Sequence, residues 1–185
     1  MKIADTSLPG VKVLEPDVFI DKRGFFIESY HKKKIAELGI KCDFVQDNHS
    51  KSSRGILRGL HYQLTHPQAK LLRVISGEVL DVAVDIRTGS PAFGKWHSEK
   101  LTAENKKQLF IPRGFAHGFL VLSDTAEVLY KCDDFYHEED DYGIAWNDPE
   151  IGIDWGVEEP MLSDKDMKNP LLSQMPKEQL PKYTG

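Results

Sequence analysis

The sequence predicts an all-β fold, an antiparallel jelly-roll barrel with only short peripheral helices, and three observations predict it. Short runs rich in Val, Ile, Leu and Phe recur along the chain, separated by turns built from Gly, Pro and Asp. One run, residues 78–86, alternates cleanly, with Leu80, Val82, Val84 and Ile86 on one side and Asp81, Ala83 and Asp85 on the other. Almost no helical periodicity lies between the runs, which argues against parallel strand–helix–strand units.

Taken in order, residues 11–19 read as a first strand, and Asp21-Lys-Arg-Gly24 supplies a turn before a second strand at 25–30, so the pair forms a hairpin. Residues 32–38 have helical composition, and Gly39 is a stop signal. In residues 53–63 and 70–73, apolar strand residues are interleaved with Arg58, His61, Lys70 and Arg73. After 78–86, Thr88-Gly-Ser-Pro91 breaks the chain, strands resume at 96–101 and 108–111 around the turn Ala103-Glu-Asn-Lys106, and two more follow at 116–122 and 126–132. The rest, from Asp133, is acidic and turn-rich, with one helical turn expected at 162–166 started by Ser163. The 185 residues, without internal repeat, suit one domain with a real hydrophobic core.

Composition excludes several classes of partner. With 24 basic and 29 acidic residues the formal net charge is -5, so no overall basic field draws in nucleic acid or an anionic membrane. An anionic ligand would have to be held by a local cluster. Neither an apolar leader nor a membrane-length apolar run is present, so a soluble, cytoplasmic protein is expected. Cys42 and Cys132 show no CxxC spacing and read as packed thiols.

The interleaved stretch calls for a chemical explanation. A strand that only had to pack would carry Val, Ile or Thr where Arg58, His61 and Lys70 stand, since these cost nothing to desolvate. It reads as the floor of an anion-binding catalytic pocket. A second unusual stretch is Ile111-Pro-Arg-Gly-Phe-Ala-His-Gly-Phe119, where His117 stands beside a glycine at the start of an apolar strand. His117 is either a hydrogen-bonded histidine at a barrel corner or a ligand group, for Pro112-x-Gly-x-x-His117 resembles half of the metal pattern of the cupin superfamily. The other half would need His-x-His and a carboxylate upstream, and His61-Tyr-Gln63 stands there instead. Gln is a poor transition-metal ligand, and Lys70 and Arg73 would add charge beside a cation, so no metal is expected.

These residues fall together in one family. The chain resembles the dTDP-4-dehydrorhamnose 3,5-epimerases, through Asp21-x-Arg-Gly-Phe-Phe26 with Glu28, Phe44-Val-Gln-Asp-Asn48, Leu57-Arg-Gly-Leu-His-Tyr-Gln63 and Lys70-Leu-x-Arg73. It continues through Gly77-Glu-Val79, Asp85, the His117 stretch, Tyr130-Lys-Cys132, Trp146-Asn-Asp-Pro149, Ile151-Gly-Ile153 and Leu162-Ser-x-Lys-Asp166. The resemblance implies a cupin-like barrel, a homodimer, no cofactor, and a dTDP-4-keto-6-deoxy sugar as substrate. It assigns His61 as base, Asp166 as the carboxylate that orients it, Tyr130 as proton donor and Lys70 as the cation near the sugar O4. Residue types fit, since an imidazole has a reference pKa of about 6.5 and a phenol about 10. The resemblance also gives Arg23, Arg58 and His117 to the sugar nucleotide, largely its pyrophosphate, and Glu28, Gln46, Asp47, Asn48 and Lys165 to further polar contacts. Tyr136 stacks on thymine in this scheme. Asp141 stands where the family often has Glu, and Phe135-Tyr136 replaces a Tyr-Tyr pair.

Two rival readings remain at this point, an epimerase restricted to C3 or to C5, and a non-catalytic cupin that binds a sugar nucleotide. Strict alternation also places Arg58 and His61 on opposite strand faces. A bulge or local twist is therefore expected near Gly59.

Overall fold

A computed structural model describes residues 1–184. Thirteen strands are present among the described residues: β1 (Lys2–Asp5), β2 (Lys12–Glu15), β3 (Val18–Asp21), β4 (Gly24–Ile27), β5 (Gln46–Ser53), β6 (Leu57–Gln63) and β7 (Lys70–Ser76), followed by β8 (Glu78–Asp85), β9 (Trp96–Thr102), β10 (Gln108–Ile111), β11 (Phe115–Val121), β12 (Thr125–Cys132) and β13 (Asp141–Gly143). Helix α1 (Lys32–Glu37) and short 3-10 turns complete the chain. No helix among the described residues is long and apolar enough to cross a membrane.

The strands form a six-stranded sheet, β1-β2-β10-β7-β12-β5, and a five-stranded sheet, β13-β6-β11-β8-β9, with every pairing antiparallel. Their inner faces share one core: Leu72, Val74 and Val128 meet Val79, Ala83, Phe119 and Val121. This is the expected all-β, cupin-like barrel. A second core lies on the outer face of the five-stranded sheet, where Leu57, Leu60, Val82 and Val84 are covered by Trp155, Leu172, Met175 and Leu180. Both faces of β8 are thus buried, and the alternating acids Asp81 and Asp85 point away from that second core.

Several expectations shift in detail. The first strand is broken around Pro16 into β2 and β3, because proline cannot donate to a ladder. The hairpin expected next is β3–β4, turned by Lys22 and Arg23. Helix α1 ends where Gly39 adopts φ +92°, a conformation that glycine takes without steric cost. Strands β1, β5 and β13 had no counterpart in the sequence reading. The turn expected after Ser163 forms, with the Ser163 hydroxyl accepting from the Asp166 N–H at 3.1 Å.

The predicted irregularity at Gly59 is present. Across β6 and β11, Arg58 pairs with Phe119 and His61 with His117, so Gly59 and Leu60 together oppose Gly118 alone. Arg58 and His61 consequently face the barrel interior, while Leu57, Leu60 and Tyr62 face the second core. Close approach of two glycines makes this possible: a Cβ on Gly59, whose φ is +128°, would lie 2.5 Å from the Gly118 Cα, and one on Gly118 would lie 2.8 Å from the Arg58 carbonyl oxygen. Gly118→Ala is expected to cost about 1–3 kcal/mol through this overpacking. Thermal melting of the variant checks the figure, and an unchanged Tm would show that β6 can yield.

Candidate active site

A cavity of about 460 Å³ opens between the two sheets. From the five-stranded sheet, β6 contributes Arg58 and His61 and β11 contributes His117; from the six-stranded sheet, β7 contributes Lys70 and β12 contributes Tyr130. Asp166 enters on a 3-10 turn docked against β6.

Two imidazole–carboxylate pairs stand side by side, since His61 and His117 are direct cross-strand neighbours. His61 Nε2 lies 2.5 Å from Asp166 Oδ1, and the Gly59 N–H donates to Asp166 Oδ2 at 3.5 Å, so the bulge that turns His61 inward also helps hold its partner. Burial acts to raise the Asp166 carboxyl, but the His61 bond and charge, with Ser163 and the Gly59 N–H, hold it below the usual carboxylate range. Asp166 is therefore an anion that fixes the proton on Nε2 and leaves Nδ1, without a partner among the described residues, as the basic nitrogen. His117 Nε2 sits 2.9 Å from Asp81 Oδ1, and both side chains are buried. Burial, aided by Lys70 and His61, pushes His117 below the ordinary imidazole value despite Asp81, which favours its neutral form.

The opposite wall carries the other half of the chemistry. Burial raises the Tyr130 phenol, keeping it protonated. The Lys70 ammonium is buried and lowered for the same reason, while Cys132, Asp141 and Asp81 pull it back up. Arg58 and Lys70 have no ion-pair partner among the described residues. Arg58 is anchored instead by its Nε–H, which donates to the Ser52 hydroxyl at 3.0 Å. Two unpaired cations in one cavity favour an anionic ligand. If the Lys70 charge is needed for turnover, kcat/KM is expected to fall on the alkaline side below the reference lysine value of about 10.5, because the lowered pKa is reached first. Lys70→Arg should move that limb upward; a limb that stays in place would assign it to another group.

The remaining predicted site residues divide. Asp141 and Lys165 lie at the cavity, joined by a 2.6 Å ion pair, and the Tyr136 hydroxyl donates to Asp141 at 3.2 Å. Gln46, Asn48 and Tyr136 line an adjoining recess that shares His61, Lys70 and Tyr130 with the main cavity. Asp47 points away from it and pairs with Lys131 at 2.8 Å. Arg23 and Glu28 line neither space: Arg23 is on the β3–β4 turn, paired with Asp21, and Glu28 is paired with Lys34 at 2.6 Å. Sequence reasoning had given no role to Asp81, Ser50 or Ser52. For Asp81 a signal existed, a carboxylate in the middle of the most regular strand.

A double-sheeted barrel that pairs an oriented imidazole with a phenol on the facing wall, beside unpaired cations, defines an acid–base enzyme for an anionic substrate. Comparison with known proteins narrows this class. The family model for dTDP-4-dehydrorhamnose 3,5-epimerase matches residues 5–174. A dTDP-4-dehydrorhamnose 3,5-epimerase of Shigella flexneri is 57% identical over 90% of this chain and 93% of its own length. Among solved structures, an epimerase of Legionella pneumophila in complex with dTDP-4-keto-L-rhamnose superposes with a TM-score of 0.97 at 50% identity, covering 100% of this chain and 99% of that one. ChmJ, a 3'-monoepimerase of Streptomyces bikiniensis in complex with dTDP-quinovose, superposes with a TM-score of 0.90 at 34% identity, over 96% and 92% of the two chains. The chain belongs to the dTDP-4-dehydrorhamnose 3,5-epimerase family.

Proposed function

We propose that this chain inverts C3 and C5 of dTDP-4-dehydro-6-deoxy-D-glucose to give dTDP-4-dehydro-beta-L-rhamnose, a step of dTDP-L-rhamnose biosynthesis. The observation that carries the reading is the placement of His61 and Tyr130 on facing sheets of one cavity, because inversion takes a proton from one face of a carbon and returns one to the other. The C4 ketone acidifies the neighbouring C–H bonds. His61 Nδ1 removes the proton, the C–H electrons form an enolate, and the Lys70 ammonium stabilises the charge developing on O4. Tyr130 then protonates the opposite face. Solvent returns the imidazolium to its neutral form and the phenolate to the phenol before the second centre turns over. Arg58 holds the pyrophosphate and His117 lines the substrate cavity beside it as a neutral imidazole, while Gln46, Asn48, Tyr136, Asp141 and Lys165 form the nucleoside side of the site. All of this lies in one cytoplasmic domain.

Turnover in deuterated water, followed by NMR at each carbon, tests the reading. Label at C3 and C5 with a rhamno product is the expected result. Label at one carbon would make the chain a restricted epimerase, as the likeness to ChmJ keeps in view, and retained binding without label would make it a non-catalytic binder.

The same proposal includes a homodimer. Phe19, Ile20, Phe25 and Phe26 on the β3–β4 hairpin are all more than half exposed, which is costly for an isolated chain. Docking of the hairpin on a second copy would cover them and carry Arg23 to that copy's cavity. Arg23→Ala and His61→Asn variants, each inactive alone, are then expected to regain activity when mixed and refolded together. Activity that stays absent in the mixture would place Arg23 outside the shared site.

A further inference from the structure

Strand β5 has no hydrophobic face. Its inward row is Asn48, Ser50 and Ser52, placed opposite Tyr130, Val128 and Ala126 of β12. Two of the three have protein partners: the Asn48 amide donates to Cys132 Sγ at 3.6 Å, and Ser52 holds the Arg58 Nε–H. Ser50 has none. Its Oγ is shielded from solvent and makes no hydrogen bond among the described residues, although the residue lines the cavity beside Arg58.

An unsatisfied buried hydroxyl is costly, and Ala or Val at this position would pack against Val128 without that cost. Both walls around it supply a reason for keeping it. Ser52 occupies the Nε–H of Arg58, so the guanidinium's two Nη groups are the donors left for a ligand, and Ser50 stands two residues along the same strand face. A guanidinium presents a planar fork that suits a phosphoryl group, and one hydroxyl beside it can donate to a further oxygen of the same anion.

We propose that the Ser50 hydroxyl is a diphosphate-binding group, donating to a phosphoryl oxygen of the sugar nucleotide next to Arg58. This rests on the sugar-nucleotide reading of the cavity. It assigns a ligand to the one polar side chain of the β5 wall that the protein leaves without a partner.

Ser50→Ala and Ser50→Thr, compared with the unchanged chain, test it by calorimetric titration with dTDP and by steady-state kinetics with the 4-keto substrate. For Ser50→Ala, the dTDP dissociation constant and the substrate KM are each expected to rise about tenfold, as for loss of a hydrogen bond to a charged group, with kcat nearly unchanged. Ser50→Thr, which keeps a hydroxyl, should recover most of the affinity. Without ligand, Ser50→Ala should melt at or above the unchanged chain, since it loses an unsatisfied polar group, yet gain less from added dTDP. Equal dTDP affinity in Ser50→Ala and the unchanged chain would overturn the proposal. So would a loss confined to the 4-keto substrate, which would give the hydroxyl to the sugar. An unchanged chain that fails to bind dTDP would instead overturn the nucleotide reading of the cavity, and this proposal with it.

Discussion

In deuterated water the His61→Asn variant is expected to leave both C3 and C5 of the sugar unlabelled, with kcat/KM falling on the order of a thousandfold or more. The size of the loss follows from the work assigned to one imidazole, which removes both protons. Asparagine still offers an amide N–H to Asp166 but has no basic nitrogen at neutral pH. The fold should survive, so binding of dTDP measured in parallel separates lost chemistry from lost structure. Asp166→Asn is expected to cost about 10²–10⁴ as well, because Nε2 would lose the anion that fixes its proton. The Asp166 carboxyl is depressed in the folded chain, so its contribution to stability is fully present above the unfolded value of about 3.9 and is lost only as pH falls through the lower folded value. Neither loss of the Asp166 charge nor unfolding at that pair is therefore expected in mildly acidic buffer. Label at either carbon in His61→Asn would show that a second base is present.

Tyr130→Phe separates the two halves of the reaction. Proton removal is retained, so starting sugar recovered from deuterated water should carry label, whereas net inversion falls by about 10²–10⁴. Burial raises the phenol's pKa and keeps its proton in place at neutral pH, which suits a donor. Phenylalanine preserves the ring against the inner core and deletes only the hydroxyl. Equal loss of exchange and inversion would mean that Tyr130 contributes to forming the enolate rather than to quenching it.

The parts of the fold that sequence made legible are those in which one face of a strand is apolar and the other is not. Strand β10 was located to the residue, and β8, β9, β11 and β12 to within one. Strand β5 was missed for a physical reason: its residues, Gln-Asp-Asn-His-Ser-Lys-Ser-Ser, have solvent on one face and a polar cavity on the other, so no hydrophobic period exists to detect. Apart from the turn begun by Ser163, the segment from 144 to 180 was nearly as silent, because it covers the second core with irregular backbone, anchored by residues such as Asp148, which accepts from the Leu172 N–H at 2.6 Å. Arg58, His61 and Lys70 announced themselves as polar residues in apolar strands. Asp166, 105 positions from His61, could be matched to it only through likeness to known sequences. Asp81, which holds His117 at the cavity wall, stood out as a carboxylate in a regular strand, but sequence alone could not tell an inward carboxylate from a solvated one.

Deleting Gly59 on paper leaves Leu57-Arg-Leu-His-Tyr-Gln63, in which outward apolar and inward polar residues alternate without a fault. The glycine is thus a spacer that the cores do not require. The bulge absorbs it, for Arg58 and His61 pair with residues two apart on β11, as they would with only one residue between them. A shortened chain could fill both cores and keep the register of β6, yet it would lose the Gly59 N–H that donates to Asp166 Oδ2 at 3.5 Å, while Oδ1 lies 2.5 Å from the imidazole. Selection for folding and selection for catalysis therefore meet at different residues of one strand, and a single deletion would separate them.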